Sequence, residues 1–145
     1  LPEDGKEHSS RGGRIYGHTG GVSEAVDHTV RRLNPNRPVY VSAEQADGTK
    51  GCRALLERLR DHDVTANYLE GMGCEGGCCG GPKVLIPPED GKCYVNMYGK
   101  ASPYETPLDN PNVRELLQRL GFNSVESLLR DSIFTRHFEE LAVKF

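Results

Sequence analysis

An α/β fold is predicted for this sequence, on three observations. Two short runs rich in β-branched and aromatic residues, Val39–Val41 and Val64–Leu69, alternate with two stretches of helical apolar periodicity. Proline, glycine or asparagine punctuates most of the changes of pattern. The remainder carries mostly helical signals, so the class is a partial parallel-sheet lobe with a C-terminal helical tail, read as one domain over residues 1–145.

Residues 1–13 are polar and aperiodic and read as loop, and Arg14–Tyr16 as a short extended piece. Gly20 and Gly21 open a helix in which Val22, Ala25, Val26, Thr29, Val30 and Leu33 share one face. Asn34, Pro35 and Pro38 end it. After the first strand, Gly48 and Gly51 lead into a second helix over Cys52–Arg60, with Leu55, Leu56 and Leu59 facing inward. The second strand runs into a cysteine-rich loop. Val84–Ile86 and Tyr94–Asn96 read as further extended segments, with Cys93 beside the latter. Asn110-Pro111 predicts a helix start, since a capping side chain precedes a proline whose missing N–H costs nothing in the first turn. Val113, Leu116, Leu117 and Leu120 line that helix and Gly121 ends it. Asn123, with Glu126 three residues later, predicts a last capped helix carrying Val125, Leu128, Leu129, Ile133, Phe138 and Leu141.

The chain has 145 residues, formal net charge −3, 36% hydrophobic and 27% charged residues. Such a balance gives no electrostatic case for nucleic acid or an anionic membrane. No apolar run approaches the roughly 20 residues a membrane helix needs, and no signal peptide is visible. Leu1 stands where a start methionine is expected, so the chain reads as an excised piece of a longer protein.

Five cysteines, Cys52, Cys74, Cys78, Cys79 and Cys93, are an odd number, and three crowd into six residues. A secreted disulfide framework spaces an even set more widely, so a metal site in a reducing compartment such as the cytoplasm fits better. Between Tyr68 and Pro82, six glycines surround Cys74, Cys78 and Cys79. A cubane of iron and sulfide held by four thiolates is anionic. Glycines let backbone N–H groups approach such a core and permit the positive φ angles a tight curl needs. Zinc and a merely glycine-rich turn remain open beside iron–sulfur on spacing alone, although Cys-x-x-x-Cys-Cys with a distant Cys93 matches no common zinc spacing. Cys79, Cys52 and Cys93 read as packing residues rather than ligands.

A second signal is Ile15-Tyr16-Gly17-His18-Thr19-Gly20-Gly21-Val22-Ser23-Glu24-Ala25-Val26. Glycines run straight into a helix, whose N-terminal amides and dipole suit an anion. No Gly-Lys-Ser/Thr follows and the spacing is not that of a dinucleotide fingerprint. For an isolated Thr-Gly-Gly, tight strand–helix packing is the favoured reading. The five histidines, His8, His18, His28, His62 and His137, form no ligand spacing.

Taken together the two loops resemble the C-terminal domain family of the iron-only hydrogenase large subunit. Y-G-H-T-G-G-V-S-E-A is similar to the family's F-G-x-T-G-G-V-x-E-A, and G-M-G-C-E-G-G-C to its V-M-A-C-P-G-G-C. Ser102–Leu117 is similar to the family's tail, and the likeness runs from about Leu1 to Phe138. The resemblance implies a cubane linked through a cysteine sulfur to a two-iron subsite that interconverts protons, electrons and hydrogen. Cys74 and Cys78 are the implied cubane ligands, with the Cys78 sulfur bridging to the two-iron unit. Met72, Tyr16 and Gly17 are implied to lie beside that unit, and Thr19, Gly20 and Gly21 to contact the cofactor. Tyr16 departs from the family's phenylalanine, and the glycine-rich stretch after the second cysteine shortens to Cys79-Gly80-Gly81-Pro82. The remaining cluster motifs, a proton-relay cysteine and a lysine are implied to lie upstream, in the N-terminal remainder of the domain. Implied partners are that remainder, a ferredoxin-like electron donor and a second copy of the chain through the severed face. Alone, this stretch is expected to hold no intact cluster. Competing expectations are a cluster protein that senses redox state or passes electrons without hydrogen turnover, and a structural zinc module.

Overall fold

The computed structural model describes residues 8–36 and 39–132, and the chain divides into two compact units, Leu1–Asn110 and Pro111–Phe145. In the first unit, α1 (Arg11–Arg14) passes through a 3₁₀ turn (Ile15–Gly17) into α2 (Gly21–Leu33). Strand β1 (Ala43–Asp47), α3 (Gly48–Arg60) and β2 (Tyr68–Met72) form a β-α-β unit, followed by a 3₁₀ turn (Gly77–Gly80) and α4 (Pro88–Lys100). The strands pair in parallel from Ala43↔Tyr68 to Asp47↔Met72, so the ends of both strands are level. The α/β class and the parallel pairing agree with the sequence reading.

Where the elements lie differs in five places. Arg14–Tyr16 is not extended but falls in the end of α1 and its 3₁₀ turn, because the Arg11 and Gly12 amides dock on the carbonyls of Tyr104 and Glu105. The first strand is Ala43–Asp47 rather than Val39–Val41, whose Val39 and Tyr40 are exposed. Pairing with β2 outweighs the poor strand propensity of Ala-Glu-Gln-Ala-Asp. Asn67 fixes the entry, accepting from the Ser42 amide at 2.8 Å and donating to the Tyr40 carbonyl at 2.8 Å. The second strand accordingly starts at Tyr68, four residues beyond the predicted Val64. Val84–Ile86 is irregular, and Tyr94–Asn96, with Cys93, lies inside a helix.

That helix, α4, has Pro88 at its first position and Glu89 and Asp90 in its first turn, all favourable at a helix N-terminus. Its inward face is Gly91, Val95 and Gly99, spaced four apart. Small residues let the helix backbone approach closely. A β-carbon at Gly91 would stand 3.2 Å from Cys79 Cβ, and one at Gly99 would meet Ile15 Cγ2 at 2.7 Å. Ile15 is fully buried there, in a core that among the described residues also holds Ala25, Leu55 and Cys79. Leu33, Leu56 and Leu59, expected inside, are exposed.

In the second unit, α5 (Pro111–Arg119) starts at the predicted proline, and Gly121 follows with φ 83°. Helix α6 (Val125–Arg130) is capped one residue later than predicted. Ser124 and Ser127 exchange side-chain and backbone hydrogen bonds, replacing the expected Asn123–Glu126 pair. Of its apolar positions, Leu116, Leu120, Val125 and Leu129 are exposed. Ile133, Phe138 and Leu141 lie outside the described residues, as does His137.

Gly99→Ala places a methyl group against fully buried Ile15. We expect a loss of about 1–3 kcal/mol, the usual range for overpacking, read as a lower urea midpoint at unchanged slope.

Candidate functional site

Both sequence motifs converge where β1 and β2 end. The Thr19-Gly20-Gly21 turn delivers the chain into α2, and the cysteine loop leaves β2 at Met72. A buried carboxylate joins them. Glu70, on β2 and 5% exposed, accepts from the Gly20 amide at 2.8 Å, from the Ser23 amide at 2.8 Å, and from the Ser23 hydroxyl. The two amides are donors that the start of a helix leaves without an intrahelical partner. Gln45 of β1 adds a bond to Ser23 Oγ at 3.0 Å. The anion at this helix N-terminus is therefore a side chain of the protein itself. Gly20 takes φ 92° to turn its amide toward it. The Gly21 amide donates to the His18 carbonyl, and a β-carbon at Gly21 would collide with the carbonyl of Ile15.

In the cysteine loop, Gly76 and Gly77 both have φ near the left-handed region, 76° and 74°. An alanine in either place would be strained. A β-carbon on Gly77 would also lie 2.8 Å from the Thr19 amide nitrogen and 3.0 Å from the Gly17 carbonyl oxygen. The two loops are in backbone contact here, which no side chain could occupy. The Gly76 amide donates to Asp47 Oδ2 at 2.9 Å, the Gly77 amide to the Cys74 carbonyl at 3.0 Å, and the Gly81 amide to the Cys78 carbonyl at 3.2 Å. Glycine here serves curvature and close approach, and these three amides point into the protein rather than toward an external core.

Cys74 is half-buried and Cys78 exposed, both free thiols two residues from the nearer of the paired glycines or adjacent to it. Cys79 turns inward, 6% exposed, against Gly91 of α4. Burial, then the neighbouring Cys78, pushes its thiol pKa up. It stays protonated at neutral pH and fits the packing role expected of it. Cys52 is half-buried on α3, its Sγ 3.3 Å from the Met72 carbonyl, and Cys93 is exposed on α4. Met72 is half-buried at the end of β2. Tyr16 is 50% exposed in the 3₁₀ turn, and Gly17 follows it beside Val95, where a β-carbon would be 3.7 Å from Cγ2. Among the described residues no three His, Cys, Asp or Glu side chains converge to hold a metal ion.

Sequence reasoning passed over three polar residues that build the site. Asp47 and Glu70 were legible as acids but nothing in their spacing announced what they face. His18, read as uninformative, is 4% exposed, with Nδ1 2.9 Å from the Thr19 carbonyl and Nε2 3.1 Å from Asn96 Oδ1. It ties the Thr19 loop to α4. Among the described residues no helix is long and apolar enough to cross a membrane.

The family described as iron only hydrogenase large subunit, C-terminal domain, matches residues 2–82, more than half of the chain. The match includes both loops and stops at Pro82, so α4 and the Ser102–Leu117 segment lie beyond it. No curated protein matches the chain.

Two measurements check this geometry. Glu70→Ala leaves the Gly20 and Ser23 donors without their acceptor and should destabilise by about 2–4 kcal/mol, seen as a lower urea midpoint. In timed alkylation at neutral pH with peptide mass mapping, the exposed Cys78 and Cys93 should react early and Cys79 last. Cys79 reacting as fast as Cys78 would contradict its inward placement.

Proposed function

The chain belongs to the family of the iron-only hydrogenase large subunit, C-terminal domain, and from that premise we propose that Cys74 and Cys78 supply two thiolates to a cubane iron–sulfur cluster. The observation that carries this reading is the pair of free thiols flanking Gly76-Gly77, whose left-handed curl is locked against Thr19 and Gly17. Thiolate is the ligand soft iron prefers, and the curl leaves Cys78 open to solvent. The fit is to part of a cluster. A cubane takes four thiolates, and among the described residues no third ligand joins these two. The other two would come from the N-terminal remainder of the catalytic domain.

When bound, a cubane joined to a two-iron unit supplies electrons and an open iron position for the reversible combination of two protons and two electrons into hydrogen. The chain's own residues bind, orient and screen. Cys78 would carry the shared sulfur, and Cys74 would hold the cubane from the other side of the glycine pair. Met72, at the end of β2, would offer its thioether as an apolar, polarisable neighbour. Tyr16 and Gly17 would form the wall opposite. Tyr16 adds a hydroxyl where the family has phenylalanine. Thr19, Gly20 and Gly21 would hold that wall in place through α2, whose N-terminus Glu70 already neutralises. A ferredoxin-like protein would deliver electrons, in a reducing cytoplasm. The exposed Leu56, Leu59 and Leu85 suit coverage by the rest of the domain or by a second copy.

The experiment is anaerobic reconstitution of the protein together with its upstream region, followed by absorption spectra and iron, sulfide and zinc analysis. Broad brown charge-transfer absorption is expected, with Cys74→Ser and Cys78→Ser each losing most of the iron and Cys93→Ser losing none. Brown protein that neither evolves nor consumes hydrogen identifies the electron-passing or sensing reading. Colourless protein with stoichiometric zinc, or with no iron and no labile sulfide, sinks the proposal.

A further inference from the structure

Asp47 is the last residue of β1 and stands at the N-cap position of α3, where an aspartate normally accepts from its own helix. It makes no such side-chain bond. Its Oδ2 instead accepts from Thr19 Oγ1 at 2.9 Å and from the Gly76 amide at 2.9 Å, donors 28 and 29 residues away in opposite directions along the chain. Forgoing a cap destabilises a helix, so the two long-range bonds must outweigh that loss.

We infer that Asp47 is a positioning residue that sets the conformation of the thiol loop. One carboxylate oxygen indexes both loops to the end of β1. Gly76 lies midway between Cys74 and Cys78, and its amide orients the peptide plane joining it to Glu75. With that plane held and Gly76 and Gly77 at φ 76° and 74°, the turn from Cys74 is closed by the Gly77 amide on the Cys74 carbonyl. The directions in which the two thiols leave the backbone follow from that turn. Thr19 anchors the same oxygen from the other loop, so the wall and the thiols move together. Gly48, next in sequence, leaves room for Glu75 to pack close: a β-carbon there would meet Glu75 Cγ at 3.0 Å. The carboxylate also places a formal negative charge at the loop, on the protein side of the thiols. This inference rests on the cluster-binding reading for its consequence, though not for its geometry.

The test uses Asp47→Ala and Asp47→Asn. An asparagine oxygen can accept both bonds but carries no charge. In the metal-free chain, amide hydrogen exchange at Gly76 should quicken roughly tenfold in Asp47→Ala, as loss of one hydrogen bond implies. In Asp47→Asn it should stay near the wild-type rate, and amides in the second half of α2 should be unchanged in both. After reconstitution with the upstream region, Asp47→Ala should bind iron roughly 10-fold more weakly, the usual effect of removing a residue that orients a ligand. Asp47→Asn should keep its iron at a higher reduction potential, because a neutral amide no longer opposes electron uptake. Should Asp47→Ala fail to fold, Thr19→Val removes a single donor and should quicken exchange at Gly76 to a smaller degree. Unchanged Gly76 exchange in Asp47→Ala, or no rescue by asparagine, overturns the inference. Wild-type protein without iron or sulfide would instead overturn the cluster reading, while the exchange data still decide the role of Asp47.

Discussion

A carboxylate taken out of water has to be given donors, and the arrangement of this domain follows from where Glu70 finds them. The strand that carries it ends two residues later and turns into the cysteine loop. The helix that satisfies it begins two residues after Thr19. Neither element can shift by a residue without leaving a buried charge or buried amides unpaired, at about 1–3 kcal/mol for each group. Exposed pairs such as Arg31–Asp27 and Arg60–Asp61 hold their partners much more weakly, typically below about 1 kcal/mol. The register between the two loops is therefore set inside the protein, by a β2 acid and an α2 N-terminus, and the surface ion pairs decorate it.

The same constraint changes the meaning of the helix start. Free amides ahead of a helix invite a bound anion, and the glycine run before α2 reads that way from sequence. Sequence cannot show that the anion arrives from 50 residues downstream. Asp47 is a parallel case, since an aspartate before a glycine reads as an ordinary cap and its real partners lie on two other loops. Both acids act through tertiary contacts that have no period and no spacing. The thiols themselves, the paired glycines between them and the family they belong to were all visible, because local backbone curvature demands glycine wherever it occurs.

Secondary structure was legible where one face of an element is markedly apolar, as in α2 and α5, and illegible where packing relies on smallness. Helix α4 turns Gly91, Val95 and Gly99 inward and leaves Tyr94, Met97 and Tyr98 exposed. Its hydrophobic residues thus mark the outer side, and the β-rich trio Tyr94–Asn96 suggested a strand. Strand β1 failed for the opposite reason. Val39 and Tyr40 have the right chemistry for a sheet but, among the described residues, no strand beside them, whereas Ala43–Asp47 has a poor composition and β2 beside it. In both cases the neighbour decides, and the local propensity loses.

Helix α4 lies wholly beyond residue 82, yet it covers Ile15 and Cys79, and its Pro88 closes on the back of Gly76. The edge of recognisable ancestry is thus not a physical edge. An excision placed there would strip the lid from the fully buried Ile15 and leave the thiol turn with one flank open to water. For anyone preparing soluble material, the natural place to cut is the junction at Asn110, where the compact unit itself ends.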